Sequence, residues 1–378
     1  MILDISDKKF KELFKNKDFH LPIRWDGYDF AATLGGLFNK YIEQLDLINE
    51  NIEINSSNIN LVCDLLLQTV RHYLNGFPAI AYSTFIEVMN ILMLQPLKVY
   101  HKSKTESYET KDNSYYSDEL SLFRIVRVND NKPYSKERVF HTPYNLRAKV
   151  STSRYSIAGY PSLYLGTTLA LCCEELHINP QIDLALASIF KIDRDIDYTD
   201  TNIRVIELGI KPQDFLGVDY NNESYRRTIS KYSLNITETR SAYLLWYPLI
   251  ASCSFIRINK NDPFAAEYII PQLLMQWVRN EMGNSTNHIN NTSDTEHEYE
   301  QLVGIRYFSC ASVKASNMGF NYVFPTSGRQ KSNSLPYCPV LAKAFSLTEP
   351  VYINEYDDSI RNCEWHLERS NKRDYDKI

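Results

Sequence analysis

The sequence predicts an α+β protein in which a small helical N-terminal domain precedes a C-terminal mixed α/β domain. Apolar residues recur at spacings of three and four over residues 30–95, whereas short apolar and β-branched runs dominate beyond residue 120. A polar stretch at residues 101–117, interpreted as a linker or a polar hairpin, separates the two patterns. Because one hydrophobic core stops growing at roughly 250–300 residues, two domains are expected, at 1–115 and 116–378.

Three amphipathic helices are predicted in the N-terminal domain, because apolar residues three and four positions apart lie on one face of a helix. Gly76 is a suitable end for the second helix, and Pro78 suits the first turn of the third. The apolar positions are, in order, Leu37, Tyr41, Leu45 and Ile48; Ile59, Val62, Leu66, Val70 and Tyr73; and Ala81, Tyr82, Phe85, Met89 and Leu92.

Short apolar runs rich in β-branched residues predict the strands of the C-terminal domain. A helix is predicted from about Pro271, between two of these strands. The uncharged stretch at 241–256 contains Pro248 and is shorter than the roughly 18–20 residues that span a bilayer, so we interpret it as buried core. The predicted strands are 122–128, 186–192, 203–210, 304–309 and 321–324.

Charge and cysteine content exclude several classes of protein. A net charge of -5 and a pI near 6.0 argue against a generally basic nucleic-acid binder. The seven cysteines are odd in number and include no CxxC pair, so neither a zinc site nor a disulfide framework is expected. Scattered histidines form no metal-ligand pair. Residues 1–9 lack an apolar segment of signal-peptide length, and the cytoplasm is the expected location.

Residues 151–176 contain the clearest functional pattern. Arg154 lies in a polar segment, residues 162–166 form a short apolar strand, and the last part has helical character with a threonine as its N-cap. Glu174 and Glu175 come near the end of this helix. A carboxylate there faces the negative end of the helix dipole, which is mildly unfavourable, so the pattern hints at a functional reason for these acids.

Four short motifs follow one another in the order of a known domain family. They are LFRI at 122–125, RYSIAG at 154–159, LYLG at 163–166 with an acid eleven residues after its tyrosine, and GIRYFS at 304–309. Together they resemble the RES domain, which is named for its Arg, Glu and Ser, over residues 118–330. The sequence departs from the family's common Asn, Ala and Pro at Ser156, Gly166 and Phe308, respectively.

The resemblance implies a fold like that of the ADP-ribosyltransferases, with NAD as substrate and cleavage of the bond between nicotinamide and ribose. Arg124, or next Arg154, would bind the diphosphate, because a guanidinium fork matches phosphate oxygens. Arg127 is the competing choice, although its side chain leaves the opposite face of the strand. Tyr164 would stack on the cationic nicotinamide ring, a contact worth about 0.5–2 kcal/mol.

The same resemblance implies one central carboxylate. Cleavage builds positive charge on the ribose, and Glu175 would stabilise that charge, with Glu174 as the alternative. Nicotinamide leaves as a neutral molecule, so no general acid is required. Ser309 would form a hydrogen bond near nicotinamide or its ribose, and His141 is an isolated candidate for contact with the ligand.

Several functions stay open from the sequence. With water, phosphate or a macromolecule as acceptor, the chain would be an NAD glycohydrolase, an NAD phosphorylase or an ADP-ribosyltransferase. A non-catalytic module that senses NAD or ADP-ribose is the rival interpretation. Because loss of free NAD harms the host, the family's chemistry implies an antitoxin or regulatory partner, as in toxin–antitoxin or phage-defence systems. No membrane or nucleic-acid partner is expected, and the oligomeric state stays open.

Overall fold

The computed structural model describes residues 12–48, 56–97, 108–109, 115–116, 121–192, 204–215, 236–259, 261–287, 303–326 and 336–355. Its helices and strands confirm the predicted α+β class. The α-helices are α1 (Phe30–Ile48), α2 (Ser56–Leu74), α3 (Pro78–Leu94), α4 (Leu169–Leu176), α5 (Pro212–Phe215), α6 (Ile236–Ser252), α7 (Ile269–Asn287) and α8 (Pro339–Ala344). The strands are β1 (Tyr108–Glu109), β2 (Tyr115–Tyr116), β3 (Ser121–Arg127), β4 (Ser162–Gly166), β5 (Ala185–Ile192), β6 (Arg204–Leu208), β7 (Val303–Phe308), β8 (Phe320–Pro325), β9 (Phe345–Leu347) and β10 (Val351–Tyr352).

The predicted helices and strands occur close to their predicted positions. The three N-terminal helices are α1, α2 and α3, and Gly76 follows the second of them with a left-handed φ of 85° that favours glycine. Pro78 is the first residue of α3, as predicted. Each of the five predicted strands overlaps β3, β5, β6, β7 or β8. Most of the uncharged stretch lies in α6, and its described residues are largely buried, as predicted.

The chain forms two compact units. The first unit comprises Met1–His101 and Glu207–Trp277, and the second comprises Lys102–Ile206 and Val278–Ile378. This grouping differs from the predicted division at residue 115, because residues 207–277 were expected in the C-terminal domain. Their place in the first unit follows from α6, which is apolar on most of its surface and therefore buries against other helices.

Aromatic side chains join α6 to the rest of the first unit. The hydroxyl of Tyr41 donates a hydrogen bond to the carbonyl oxygen of Leu244 at 3.0 Å, and that of Tyr247 donates to the carbonyl oxygen of Phe19 at 3.2 Å. The rings of Tyr41 and Tyr247 lie 4.5 Å apart between centroids. Each hydroxyl finds a backbone acceptor, as a buried tyrosine requires.

Eight strands form one sheet in the order β10-β5-β3-β4-β8-β7-β6, with β9 also paired to β5. β3 pairs with β5 along its whole length, and β4 does the same with β8. In contrast, β3 and β4 share only the pair Phe123 and Gly166. The two strands therefore diverge beyond this pair, and the carboxyl-terminal half of β3 leaves the side of β4.

The polar stretch between the two sequence patterns contains a pair of short strands. β1 and β2 pair antiparallel, with Tyr108 opposite Tyr116, which agrees with the hairpin alternative. Residues 101–107, 110–114 and 117 of this stretch lie outside the described residues. Over the ranges that the structure describes, no helix combines the length and apolar character of a membrane span.

Candidate active site

Helix α4 lies against one face of the sheet and brings its acids to that face. Its N-cap is Thr168, whose Oγ accepts a hydrogen bond from the backbone N of Leu171 at 3.1 Å and donates to the carbonyl oxygen of Met318 at 2.8 Å. Because residues three apart share a helix face, Glu175 follows Cys172 toward the sheet. The core on this face contains Phe123, Ile125, Leu169, Cys172, Cys173, Ile178, Ala185, Ala187, Ile189 and Ile353.

The carboxylate of Glu175 is anchored to the sheet. Asn321 of β8 is buried, and its Nδ2 donates a hydrogen bond to Oε1 of Glu175 at 2.7 Å. In the sheet register Asn321 is opposite Gly166 on β4 and Tyr307 on β7, so these three residues share one face. Among the described residues, Asn321 is the hydrogen-bond partner of Glu175, whose side chain is half-buried.

Glu174 points to a different environment. Its Oε2 lies 3.4 Å from Nζ of Lys314, and the exposed fractions of the two side chains are 31% and 73%. An ion pair this open to solvent contributes little to stability, about 0–1 kcal/mol. The structure thus distinguishes the two candidate acids: Glu175 is tied to the sheet, whereas Glu174 is paired with a surface lysine.

The ring of Tyr164 is held by a chain of serine hydroxyls. The Tyr164 hydroxyl lies 2.6 Å from Oγ of Ser153 and 2.8 Å from Oγ of Ser156. The hydroxyl of Ser156 donates to Oγ of Ser162 at 3.0 Å. Ser156 uses its single hydroxyl proton for Ser162, so it accepts the hydrogen bond from Tyr164. Tyr164 has then used its own proton and accepts from Ser153. Ser156, at a position where the RES domain that the sequence resembles commonly has asparagine, therefore has a structural role here.

Tyr307 brings together several of the predicted residues. Its ring centroid lies 4.7 Å from that of Tyr155. Burial raises the pKa of the Tyr307 phenol well above its ordinary value, and the nearby Glu175, Tyr164 and Tyr155 raise it further, whereas the positive charge of Arg154 lowers it. The charges of three predicted site residues, Arg154, Tyr164 and Glu175, thus all influence the pKa of one buried tyrosine.

Arg124 lies where β3 and β4 diverge. Its Nη1 donates a hydrogen bond to the carbonyl oxygen of Tyr164 at 2.9 Å, and burial lowers its pKa to about 10. Its buried Nε has no hydrogen-bond partner among the described residues. Arg127, the competing choice, is exposed and pairs instead with Asp183 at 2.9 Å and the carbonyl oxygen of His177 at 3.1 Å. Arg124 is therefore the arginine that contacts Tyr164, but strand alternation places its side chain on the sheet face opposite to that of Phe123 and Gly166, whereas the side chain of Arg127 leaves from the face that carries Glu175.

Ser309 and His141 are both fully buried and bonded to backbone groups. Oγ of Ser309 accepts a hydrogen bond from the backbone N of Ala311 at 3.1 Å. Nε2 of His141 accepts from the backbone N of Cys338 at 2.8 Å, so Nδ1 carries the proton and donates to the carbonyl oxygen of Thr142 at 2.8 Å. Burial lowers the pKa of His141 to about 4. With both nitrogens bonded, His141 has a structural role in this structure.

Three residues of this site have no local signal in the sequence. Asn321 and Tyr307 lie in predicted strands, and only the strand register, which no local pattern reveals, places them beside Glu175. Arg279 lies in the predicted helix α7, and its Nη2 donates to the carbonyl oxygen of Pro161 at 3.0 Å. In the part of the chain that is described, no three His, Cys, Asp or Glu side chains group as metal ligands would.

Comparisons with known proteins give one relevant similarity. The chain is 28% identical over 345 residues to a protein of Bacillus subtilis (strain 168) named "Putative toxin YopC", a match that covers 88% of this chain and 68% of that protein. No protein-family model matches the chain, so the resemblance to the RES domain stays a prediction. No solved structure matches it either, so the likeness to ADP-ribosyltransferases also stays a prediction.

Proposed function

We propose that this protein is a toxin-type enzyme that consumes NAD by cleaving the bond between nicotinamide and ribose. The toxin role is supported by the similarity to the Bacillus subtilis protein. The substrate and reaction rest on the resemblance of the sequence motifs to the RES domain. The observation that supports the site best is the carboxylate of Glu175, fixed by Asn321 on the sheet face near Tyr164.

The fixed carboxylate suits the charge that the reaction creates. Loss of nicotinamide leaves positive charge on the ribose, and Glu175 stabilises it without first having to reorient. Its Oε1 is occupied by Asn321, so Oε2 accepts a hydrogen bond from a ribose hydroxyl. The departing nicotinamide is neutral, and therefore the site needs no histidine as an acid.

The other predicted residues bind the rest of the substrate. Tyr164 stacks on the cationic nicotinamide ring, and its two serine partners fix the ring plane. Arg124 and Arg154 neutralise the diphosphate, since each presents a planar fork of N–H donors. Nη1 of Arg124 donates a hydrogen bond to the carbonyl oxygen of Tyr164, and the buried Nε of Arg124, which is unbonded among the described residues, remains a donor for the ligand.

Nicotinamide release tests this proposal. Purified protein is incubated with NAD, and nicotinamide is quantified by chromatography with and without inorganic phosphate. Glu175→Gln is expected to lose release by about a hundredfold or more, because it removes a charge made for the transition state. Glu174→Gln is the matched control and should retain activity. The proposal fails if wild-type protein releases no nicotinamide, or if only Glu174→Gln inactivates it.

The same assay identifies the acceptor. Release that proceeds in water without phosphate or protein indicates hydrolysis, and release that requires phosphate indicates phosphorolysis. Label from NAD that appears on a protein indicates ADP-ribosyl transfer. Because an enzyme of this type depletes the NAD of its host, we also propose an antitoxin partner that restrains it, which co-purification from the native host would identify.

A further inference from the structure

Two arginines outside the predicted site lie beside it in the second unit. Arg279 of α7 is half-buried, with its Cζ 5.0 Å from the ring centroid of Tyr160 and its Nη2 on the carbonyl oxygen of Pro161. Arg147 lies in the 3-10 segment Tyr144–Lys149, with its Cζ 5.2 Å from the ring centroid of Tyr144. Both guanidinium groups are therefore held against tyrosine rings rather than extended into solvent.

The backbone brings the segments that hold these two arginines together, because the N–H of Gly159, next to Tyr160, donates a hydrogen bond at 2.9 Å to the carbonyl oxygen of Val150, three residues after Arg147. Burial lowers the pKa of Arg279 below its ordinary value, the neighbouring Tyr144, Tyr160 and Tyr164 raise it, and the charge of Arg147 lowers it. Two like charges held together in a partly buried place are unfavourable unless an anion balances them. The fold nevertheless holds both guanidinium groups in this region, against the rings of Tyr160 and Tyr144.

No acidic side chain balances this charge within the described chain. Among the described residues, Arg279 contacts a carbonyl oxygen and a tyrosine ring, and Arg147 contacts a tyrosine ring. Arg127 of the same unit shows the contrast, since it pairs with the carboxylate of Asp183. The N–H groups that Arg279 does not use for Pro161 remain donors for a ligand.

We propose that Arg147 and Arg279 form a phosphate-binding subsite next to Tyr164, which takes the diphosphate of a nucleotide or inorganic phosphate. The ring of Tyr160 is 47% exposed beside it, which provides a surface for a base. This inference deepens the proposed function, because the diphosphate would be that of NAD and the free phosphate would be the acceptor in phosphorolysis. Arg147 and Arg279 would then share the diphosphate with Arg124 and Arg154.

Calorimetric titration with ADP, inorganic phosphate and nicotinamide riboside tests the subsite. Arg147→Met and Arg279→Met keep the aliphatic stem and remove the charge, and Arg279→Lys retains a donor for Pro161 if the first change disturbs folding. Arg257→Met is the matched control, because Arg257 stacks on Tyr268 at 5.1 Å in the first unit. Thermal melting verifies that each variant is folded.

We expect ADP to bind at least about tenfold more weakly to the Arg147 and Arg279 variants, the size of one lost charge-assisted bond, and equally well to the control. Nicotinamide riboside, which has no phosphate, should bind all variants alike. If only inorganic phosphate is weakened, the subsite serves the acceptor. Unchanged binding of both anions, or no binding to wild-type protein, overturns the inference.

This experiment measures binding and needs no turnover. Anions that bind through the two arginines in a protein that releases no nicotinamide would remove the proposed function and retain the subsite. Suppose instead that nicotinamide release depends on Glu175 and that anion binding is unchanged in the Arg147 and Arg279 variants. This result would retain the proposed function and remove the subsite.

Discussion

Replacement of Asn321 by aspartate should convert the anchor of Glu175 into a second acid without a change of shape. The wild-type amide donates to Oε1 of Glu175 at 2.7 Å. A hydrogen bond to a charged group contributes about 1.5–3 kcal/mol, and each 1.36 kcal/mol corresponds to about a tenfold rate. Loss of the donor alone should therefore lower the rate of nicotinamide release by about 10- to 150-fold at neutral pH.

The pH profile separates a role in positioning from simple damage. Two ionised carboxylates about 4 Å apart repel by roughly 4 kcal/mol near a protein surface, so a proton is taken up as the pH falls. In the Asn321→Asp variant, the protonated carboxyl group that replaces the amide donates to Glu175 as the amide did, and release should recover toward acidic pH. Wild-type protein lacks this recovery.

The assay is nicotinamide release from pH 5 to 8, with kcat and KM determined separately. The change should lie mainly in kcat, because the anchor acts on the charge that forms during the reaction. Asn317→Asp is the control, since Asn317 is exposed and donates to the carbonyl oxygen of Val313. An equal loss at every pH in a folded protein, or no loss at all, would refute the reasoning.

The remaining predictions concern stability, measured by urea or thermal unfolding. Thr168→Ala should cost about 1 kcal/mol because α4 loses its N-cap. Gly166→Ala should cost about 1–3 kcal/mol because its Cβ would lie 2.6 Å from Sγ of Cys172, whereas Gly36→Ala in α1, with nothing within 4 Å, should gain about 0.5–1 kcal/mol. The pKa of His141 falls from 6.5 to about 4 on folding, so the unfolded chain binds the extra proton between these values, and stability should fall by about 3 kcal/mol as the pH drops from 6.5 to 4. A slope that His141→Gln leaves unchanged would contradict this assignment.

Local pattern predicted the elements that carry the site. Leucine and tyrosine in LYLG gave β4, and the threonine before the next apolar run gave the start of α4, because strands and helix caps depend on neighbouring residues. The distinction between Glu174 and Glu175 was not available in this way. It depends on Lys314, which lies 140 residues after Glu174, and on Asn321, which lies 146 residues after Glu175.

Long-range register accounts for most of what the sequence could not show. Tyr307 was placed in a predicted strand, but a shift of one residue would have turned its ring to the other face of the sheet. The return of residues 207–277 to the first unit has no local signal either, since an apolar helix such as α6 packs equally well in any core. The position of Arg279 beside the site also has no local signal, because its helix was predicted from apolar residues alone.

The divergence of β3 and β4 has a consequence for solubility. Beyond the pair Phe123 and Gly166, the backbone groups of β4 on the side of β3 form no strand pairing with β3. In this respect β4 resembles an edge strand. An unpaired edge of this kind can pair with a strand of another chain, and an inward-pointing charge is one of the ways in which proteins prevent such pairing. Arg124, on the carbonyl oxygen of Tyr164, places a cation at this edge. Loss of activity in an Arg124 variant therefore has two physical origins, weaker ligand binding and aggregation, which sedimentation of the purified variant separates.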